Sequence, residues 1–182
     1  MKHISPGTLD VARVGLGTMG MSSAFTGAGT DDAESIRTIQ RALELGVALI
    51  DTAEIYGPFI NEELLGQAIK DHRADVVLAT KFSFVSHAGG GPWNLDSSPA
   101  NIRAALEGSL RRLGTDHMDL YYQHRVDPNT PIEDTVGTLA ELVVEGKVRH
   151  LQLSQEQIDK LTNITPAAGD HHNEAQMQMI ER

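Results

Sequence analysis

Short runs of β-branched and apolar residues alternate with longer segments whose apolar positions recur every three or four residues, and the alternation holds from residue 11 to residue 153. The first run is Val11 to Gly17. A helix follows: Asp31 with Glu34 three positions on has the form of a capping box, Ile36, Ile39 and Leu43 share one face, and Gly46 stops it. The second run, Val47 to Asp51, leads to a helix from Asn61 with Leu64, Leu65, Ala68 and Ile69 pointing one way. The third, Asp75 to Lys81, passes through a glycine-rich loop to a helix with Ser98 as N-cap, Pro99 at the first helical position and Gly114 behind Leu113. The fourth, Met118 to His124, precedes Thr130-Pro131-Ile132-Glu133, which reads as a second capping box. The helix it opens carries Ile132, Val136, Leu139 and Val143, and Gly146 closes it. A fifth run spans Lys147 to Leu153.

Strands separated by helices imply parallel pairing through right-handed crossovers, and so an α/β domain. Each unit takes roughly 30 residues, and a closed barrel of the TIM type needs about 250. The 182 residues present have room for five units. The expectation is therefore a parallel (β/α) barrel that is incomplete, or an open sheet, over residues 1–153. Beyond it, residues 154–182 read as a short helix, capped by Ser154 with Gln157 and carrying Ile158 and Leu161, and then a polar tail.

Composition narrows the partners. Apolar residues at 40% and charged residues at 22% are ordinary for a soluble globular domain. A net charge of −10 argues against nucleic acid or an anionic membrane surface as partner, since both select basic faces. No stretch approaches the roughly 20 apolar residues of a membrane span. Met1 to Asp10 is too polar for the centre of a signal peptide, so the expected location is cytoplasmic. The absence of cysteine excludes disulfides and thiolate chemistry.

In parallel α/β folds the chemistry gathers at the carboxyl ends of the strands. Those ends are Gly17-Thr18, Asp51, Lys81 and His124, with Tyr56 five positions beyond Asp51. One ionisable residue at a strand end is commonplace, because strands end in solvent. Three in succession on one rim make a chemical set. A phenol has an ordinary pKa of about 10, and a nearby ammonium favours its phenolate. An aspartate keeps the lysine charged and placed, and a histidine orients a carbonyl by hydrogen bonding. Such a group would protonate an alkoxide as a cofactor delivers hydride to the carbonyl carbon.

Gly15-Leu16-Gly17-Thr18-Met19, Asp51-Thr52-Ala53-Glu54-Ile55-Tyr56-Gly57, Asn61-Glu62-Glu63-Leu64-Leu65-Gly66, Leu78-Ala79-Thr80-Lys81, Asp119-Leu120-Tyr121-Tyr122-Gln123-His124 and Gly146-Lys147-Val148-Arg149 together resemble the aldo-keto reductase superfamily. The resemblance covers residues 11–151. It implies a TIM-type barrel, NADP(H) as cofactor and a small-molecule aldehyde or ketone as substrate. It implies Asp51, Tyr56, Lys81 and His124 as the catalytic set, with Tyr56 as the acid. By the same resemblance Gly17, Thr18, Met19 and Asp51 approach the nicotinamide ribose, and Ser154 either sits near the carboxamide or caps the last helix. Trp93, in the glycine-rich loop, either packs over substrate together with Tyr56 and His124 or serves the loop alone. Gly15, Gly17 and Gly20 also spell G-x-G-x-x-G, but a loop with Gly27 and Gly29 intervenes before any helix, against a Rossmann reading.

Three further strand–helix units of the family are not legible. Leu151 to Leu161 instead resembles the family's carboxyl-terminal stretch, which suggests an internal deletion around His150 to Ser154. Such a chain would present two unpaired sheet edges, an invitation to self-association. An alternative reading is a non-catalytic remnant or a cofactor-binding regulatory protein. Asp170, His171, His172 and Glu174 in the tail are read as solvated, with no metal expected.

Overall fold

Five strands lie side by side in chain order, each parallel to the next. They are β3 (Leu16–Gly17), β4 (Leu49–Asp51), β5 (Val77–Phe82), β6 (Met118–Gln123) and β7 (Val148–Gln152). Helices α1 (Asp32–Glu44), α2 (Ile60–Ile69), α3 (Pro99–Leu113) and α4 (Ile132–Val144) occupy the four crossovers. The computed structural model describes residues 2–5, 9–22, 31–85 and 94–152. Ser154 and the segment 153–182, like Trp93, lie outside the described residues. Among the described residues β3 and β7 each pair on one side alone, so the sheet has the strand order of a barrel without its closure. Among them too, no helix is long and apolar enough to cross a membrane.

The two faces of the sheet differ because side chains alternate along each strand. Ile50, Leu78, Thr80 and Tyr121 share one face by register, and all four are completely buried. Against that face the helices supply Ile39, Leu65, Ile69, Ile102, Leu106, Leu113 and Leu139 to one continuous apolar core. Gly17, Asp51, Ala79, Lys81 and Tyr122 fall on the opposite face. One face is thus spent on packing and the other is left for chemistry.

Several boundaries follow the sequence pattern for the expected reason. The Asp31 carboxylate accepts from the Glu34 N–H at 2.8 Å, Pro99 sits in the first turn of α3, and Gly114 ends that helix in the left-handed region at φ 65°. Two readings need correction. The run Val11 to Gly17 is not one strand: β2 (Val11–Ala12) pairs antiparallel with β1 (His3–Ile4), and the chain then breaks before β3 joins the main sheet. The expected cap at Thr130 does not form either, because its hydroxyl donates to Asp127 Oδ2 at 2.7 Å and α4 opens behind Pro131 without a side-chain cap.

Helices α2 and α3 cross at Gly66. A Cβ there would lie 2.5 Å from the Arg112 carbonyl oxygen and 3.0 Å from the Leu113 Cα, both backbone atoms that cannot swing aside. Alanine normally favours a helix over glycine by about 1 kcal/mol. At this crossing the sign should invert: Gly66→Ala is expected to destabilise by roughly 1–3 kcal/mol, seen as a lower urea midpoint at an unchanged slope.

Candidate active site

Asp51 is the last residue of β4, and the register sets Ala79 of β5 beside it, so Lys81 stands one pleat further on along the same face. Its amine reaches back across the rim. The ammonium nitrogen lies 2.5 Å from Asp51 Oδ1, 2.7 Å from the Thr52 carbonyl oxygen and 3.2 Å from the Tyr56 hydroxyl oxygen. An ammonium has three protons, and these are three acceptors. The phenol oxygen is therefore an acceptor toward Lys81, which leaves its own proton to be donated elsewhere. The lysine side chain is 14% exposed and that of Asp51 35%, so the pair is partly shielded from water while its carboxylate end stays open.

His124 arrives from the third interior strand. It follows β6 directly, and its N–H donates to the Phe82 carbonyl at 2.9 Å. The imidazole meets Tyr56 edge-on, with ring centroids 5.8 Å apart at 87°, and meets Phe84 likewise at 5.0 Å and 89°. Burial, reinforced by the positive charges of Lys81 and Arg125, pushes its pKa down to about 4. Near neutrality the ring is uncharged and offers one N–H donor. Wholly buried Ser83 takes a left-handed φ of 107° just past β5 and donates its hydroxyl to the Arg125 carbonyl at 2.8 Å, tying the exits of β5 and β6 together.

The loop bearing Tyr56 is anchored from below by charge. Glu62, fully buried at the start of α2, accepts from Thr80 Oγ1 at 2.6 Å and from Arg112 Nε at 2.7 Å. The same guanidinium lies 4.5 Å from the Phe59 ring centroid. Strand β5, helix α3 and the loop before α2 thus converge on one ion pair.

The structure brings Asp51, Tyr56, Lys81 and His124 together on one rim. Gly17 stands beside Asp51 by register, exposed, with nothing within 4 Å of the place a Cβ would take. Thr18 is different. It is buried, and its hydroxyl lies 3.0 Å from the Asp51 carbonyl oxygen and 2.5 Å from Asn61 Oδ1. Met19 opens a single 3-10 turn, and α1 begins only at Asp32, so the glycine triplet does not run into a helix. Trp93 and Ser154 lie outside the described residues.

Sequence reasoning missed three participants. The Thr52 carbonyl holds Lys81, a role that belongs to the backbone and leaves no trace in residue type. Tyr122 shares the Lys81 face by register, and burial with the nearby Asp51 charge pushes its phenol up to about 12, so it remains a neutral polar group beside the site. The alternation of β6 could have revealed it. Asn61, read only as a helix start, bonds to both the β3 and β4 exits.

The aldo/keto reductase family model matches residues 13–182. Among solved structures, a Bacillus halodurans aldo-keto reductase in its holo form superposes with a TM-score of 0.73 at 36% identity, over 82% of this chain and 48% of that one. The glycerol dehydrogenase of Gluconobacter oxydans gives 0.71 at 34%, over 91% and 53%. A Klebsiella pneumoniae aldo-keto reductase in complex with NADPH gives 0.71 at 33%, over 87% and 51%. The chain belongs to the aldo/keto reductase family, and it spans about half the length of these structures.

The lowered His124 pKa carries a sign. Between about 4 and the ordinary 6.5, the unfolded chain binds a proton at this position and the folded chain does not, so this residue makes stability rise with pH across that window. We expect the His124 ring resonances, assigned by comparison with His124→Gln, to hold their neutral positions down to about pH 5 and to move near pH 4.

Proposed function

We propose that this chain serves the NADP(H)-dependent reduction of an aldehyde or ketone to an alcohol, with Tyr56 as the proton donor. One observation carries the reading: the Lys81 ammonium spans Asp51 Oδ1 at 2.5 Å and the Tyr56 hydroxyl at 3.2 Å. A carbonyl oxygen placed between the Tyr56 hydroxyl and the His124 imidazole would receive two hydrogen bonds. As negative charge grows on that oxygen, the phenol proton passes to it and the phenolate left behind faces Lys81. Asp51 balances the lysine charge and fixes its direction. Neutral His124 orients the carbonyl without competing as an acid.

The residues fit a nicotinamide on the side where Gly17 leaves open space beside the exposed edge of Asp51. There the reduced cofactor, when bound, supplies the hydride for the carbonyl carbon. The backbone of Gly17 and the turn at Met19 would flank its ribose, and Asp51 would face it. The choice of the phosphorylated cofactor is supported by the Klebsiella pneumoniae relative, which is bound to NADPH.

A second reading, a family member that holds cofactor without turnover or has lost it, is favoured by the chain spanning about half the length of its matches. Titration with NADPH, followed by its own fluorescence and by that of Trp93, separates the two. Saturable binding with reduction of a test aldehyde supports the reductase. Tyr56→Phe is then expected to lower kcat by about 10²- to 10⁴-fold while the Kd for NADPH stays within about twofold. Absence of binding at millimolar NADPH would remove the reductase reading.

A further inference from the structure

We infer that Asn61 is a positioning residue for the Tyr56 acid, acting through the strand exits it joins; the catalytic half of this inference rests on the reductase reading above. The loop from Thr52 to Phe59 has an unfavourable backbone. Gly57 at φ 93° and Phe59 at φ 71° both lie in the left-handed region, one on each side of Pro58, and Phe59 has a Cβ that this region disfavours. A turn of that kind persists only where its surroundings over-determine it.

Asn61 does so. Its side chain is 1% exposed, and both of its polar atoms are fully used. Oδ1 accepts from the Thr18 hydroxyl at 2.5 Å and the Thr52 hydroxyl at 2.7 Å. Nδ2 donates to the Thr18 carbonyl at 2.8 Å and to Ser22 Oγ at 2.6 Å. Two lone pairs and two protons meet four partners, which satisfies the amide completely. Its backbone N–H adds a fifth bond, to the Tyr56 carbonyl at 3.2 Å.

These partners are not scattered. Thr18 is the exit of β3, and its N–H donates to the Asp51 carbonyl at 2.9 Å. Thr52 is the exit of β4, and its carbonyl receives the Lys81 ammonium at 2.7 Å. Tyr56 carries the phenol. The side-chain amide therefore joins Thr18, whose N–H holds the Asp51 carbonyl, to Thr52, whose carbonyl holds the Lys81 ammonium, while the main-chain N–H of the same residue holds the Tyr56 carbonyl; none of the reacting atoms is touched. The geometry demands an amide in particular. Aspartate has the same shape and keeps two acceptor contacts, but it loses both donors and sets a carboxylate against the Thr18 carbonyl. Leucine matches the volume and makes no bonds.

The test is Asn61→Asp, with Thr52→Val as a milder variant that removes one bond of the same hub and adds no charge. In the full chain we expect Asn61→Asp to lower kcat by about 10- to 100-fold, as for a displacement of about 1 Å, with KM and the NADPH Kd within about twofold. Thr52→Val should fall between it and the wild type. A nuclear Overhauser contact between the Tyr56 and His124 rings, whose centroids stand 5.8 Å apart, is expected in the wild type and should weaken several-fold in Asn61→Asp, as a displacement of about 1 Å requires. A purely structural role would lower the melting temperature while leaving kcat, measured well below it, and the ring contact unchanged, and that result overturns the inference. Should the wild type show no turnover, the reductase reading falls but the ring contact still decides: an unchanged intensity in both variants overturns the positioning role. Should Asn61→Asp not fold, Thr52→Val alone decides by the same two readouts.

Discussion

A lysine ammonium held 14% exposed at the rim of a parallel sheet must have its three protons accepted, and this requirement organises the site. The acceptors are a carboxylate from the neighbouring strand, the first carbonyl beyond that strand and a phenol on the following loop. Each can be reached only because β4 and β5 are parallel and in one register. A slip of a single residue would carry Lys81 to the helix-packed face, where Thr80 and Phe82 now lie. The apolar core thus does more than stabilise. By fixing which residues face inward, it fixes which side chain can become the lysine of the site.

The electrostatic consequences run outward from that ammonium. Burial, with the Lys81 charge acting in the same direction, disfavours a positive charge on His124, so the ring is neutral near pH 7. Below the rim, the Arg112 guanidinium lies 2.7 Å from buried Glu62 and 3.8 Å from buried Glu54, and this cluster carries the loop that presents Tyr56. Charges alternate in sign from Asp51 to Lys81, and the imidazole beside them is uncharged.

How much of this was legible in the sequence depends on whether side chain or backbone carries the information. The five strands, the four helices and the ends of α1 and α3 follow from periodicity and capping residues, which are local. The gathering of Asp51, Tyr56, Lys81 and His124 could be expected because strand exits in this fold share one rim. Other features escaped for stated reasons. The run Val11 to Gly17 has strand composition throughout, but nothing in composition says that its two halves pair with different partners. Thr130 has the type and spacing of a cap, yet a nearer carboxylate, Asp127, takes its hydroxyl. Thr18 stands at a strand exit by position, and that its hydroxyl meets an asparagine 43 residues away is a tertiary contact that position does not tell. In each case a tertiary partner outbid a local preference, and only the register of the whole sheet decides such contests.

The placement of the site within the sheet bears on what half the length of its relatives can preserve. Asp51, Lys81 and His124 come from β4, β5 and β6, and each of these strands is paired on both sides. Tyr56 hangs from the loop between two of them, anchored to α3 through Glu62 and Arg112. Among the described residues β3 and β7 are the strands paired on one side alone. Gly17, with nothing within 4 Å of the place a Cβ would take, belongs to β3, whose pairing with β4 is two residues long. The contacts among Asp51, Lys81 and Tyr56 therefore rest on the interior of the sheet, whereas Gly17 rests on a strand paired with β4 over two residues. The amide of Asn61 lies at the boundary between these two regions, bonded to Thr18 on the edge side and to Thr52 on the interior side, and through it the stability of the edge strand is felt at the acid.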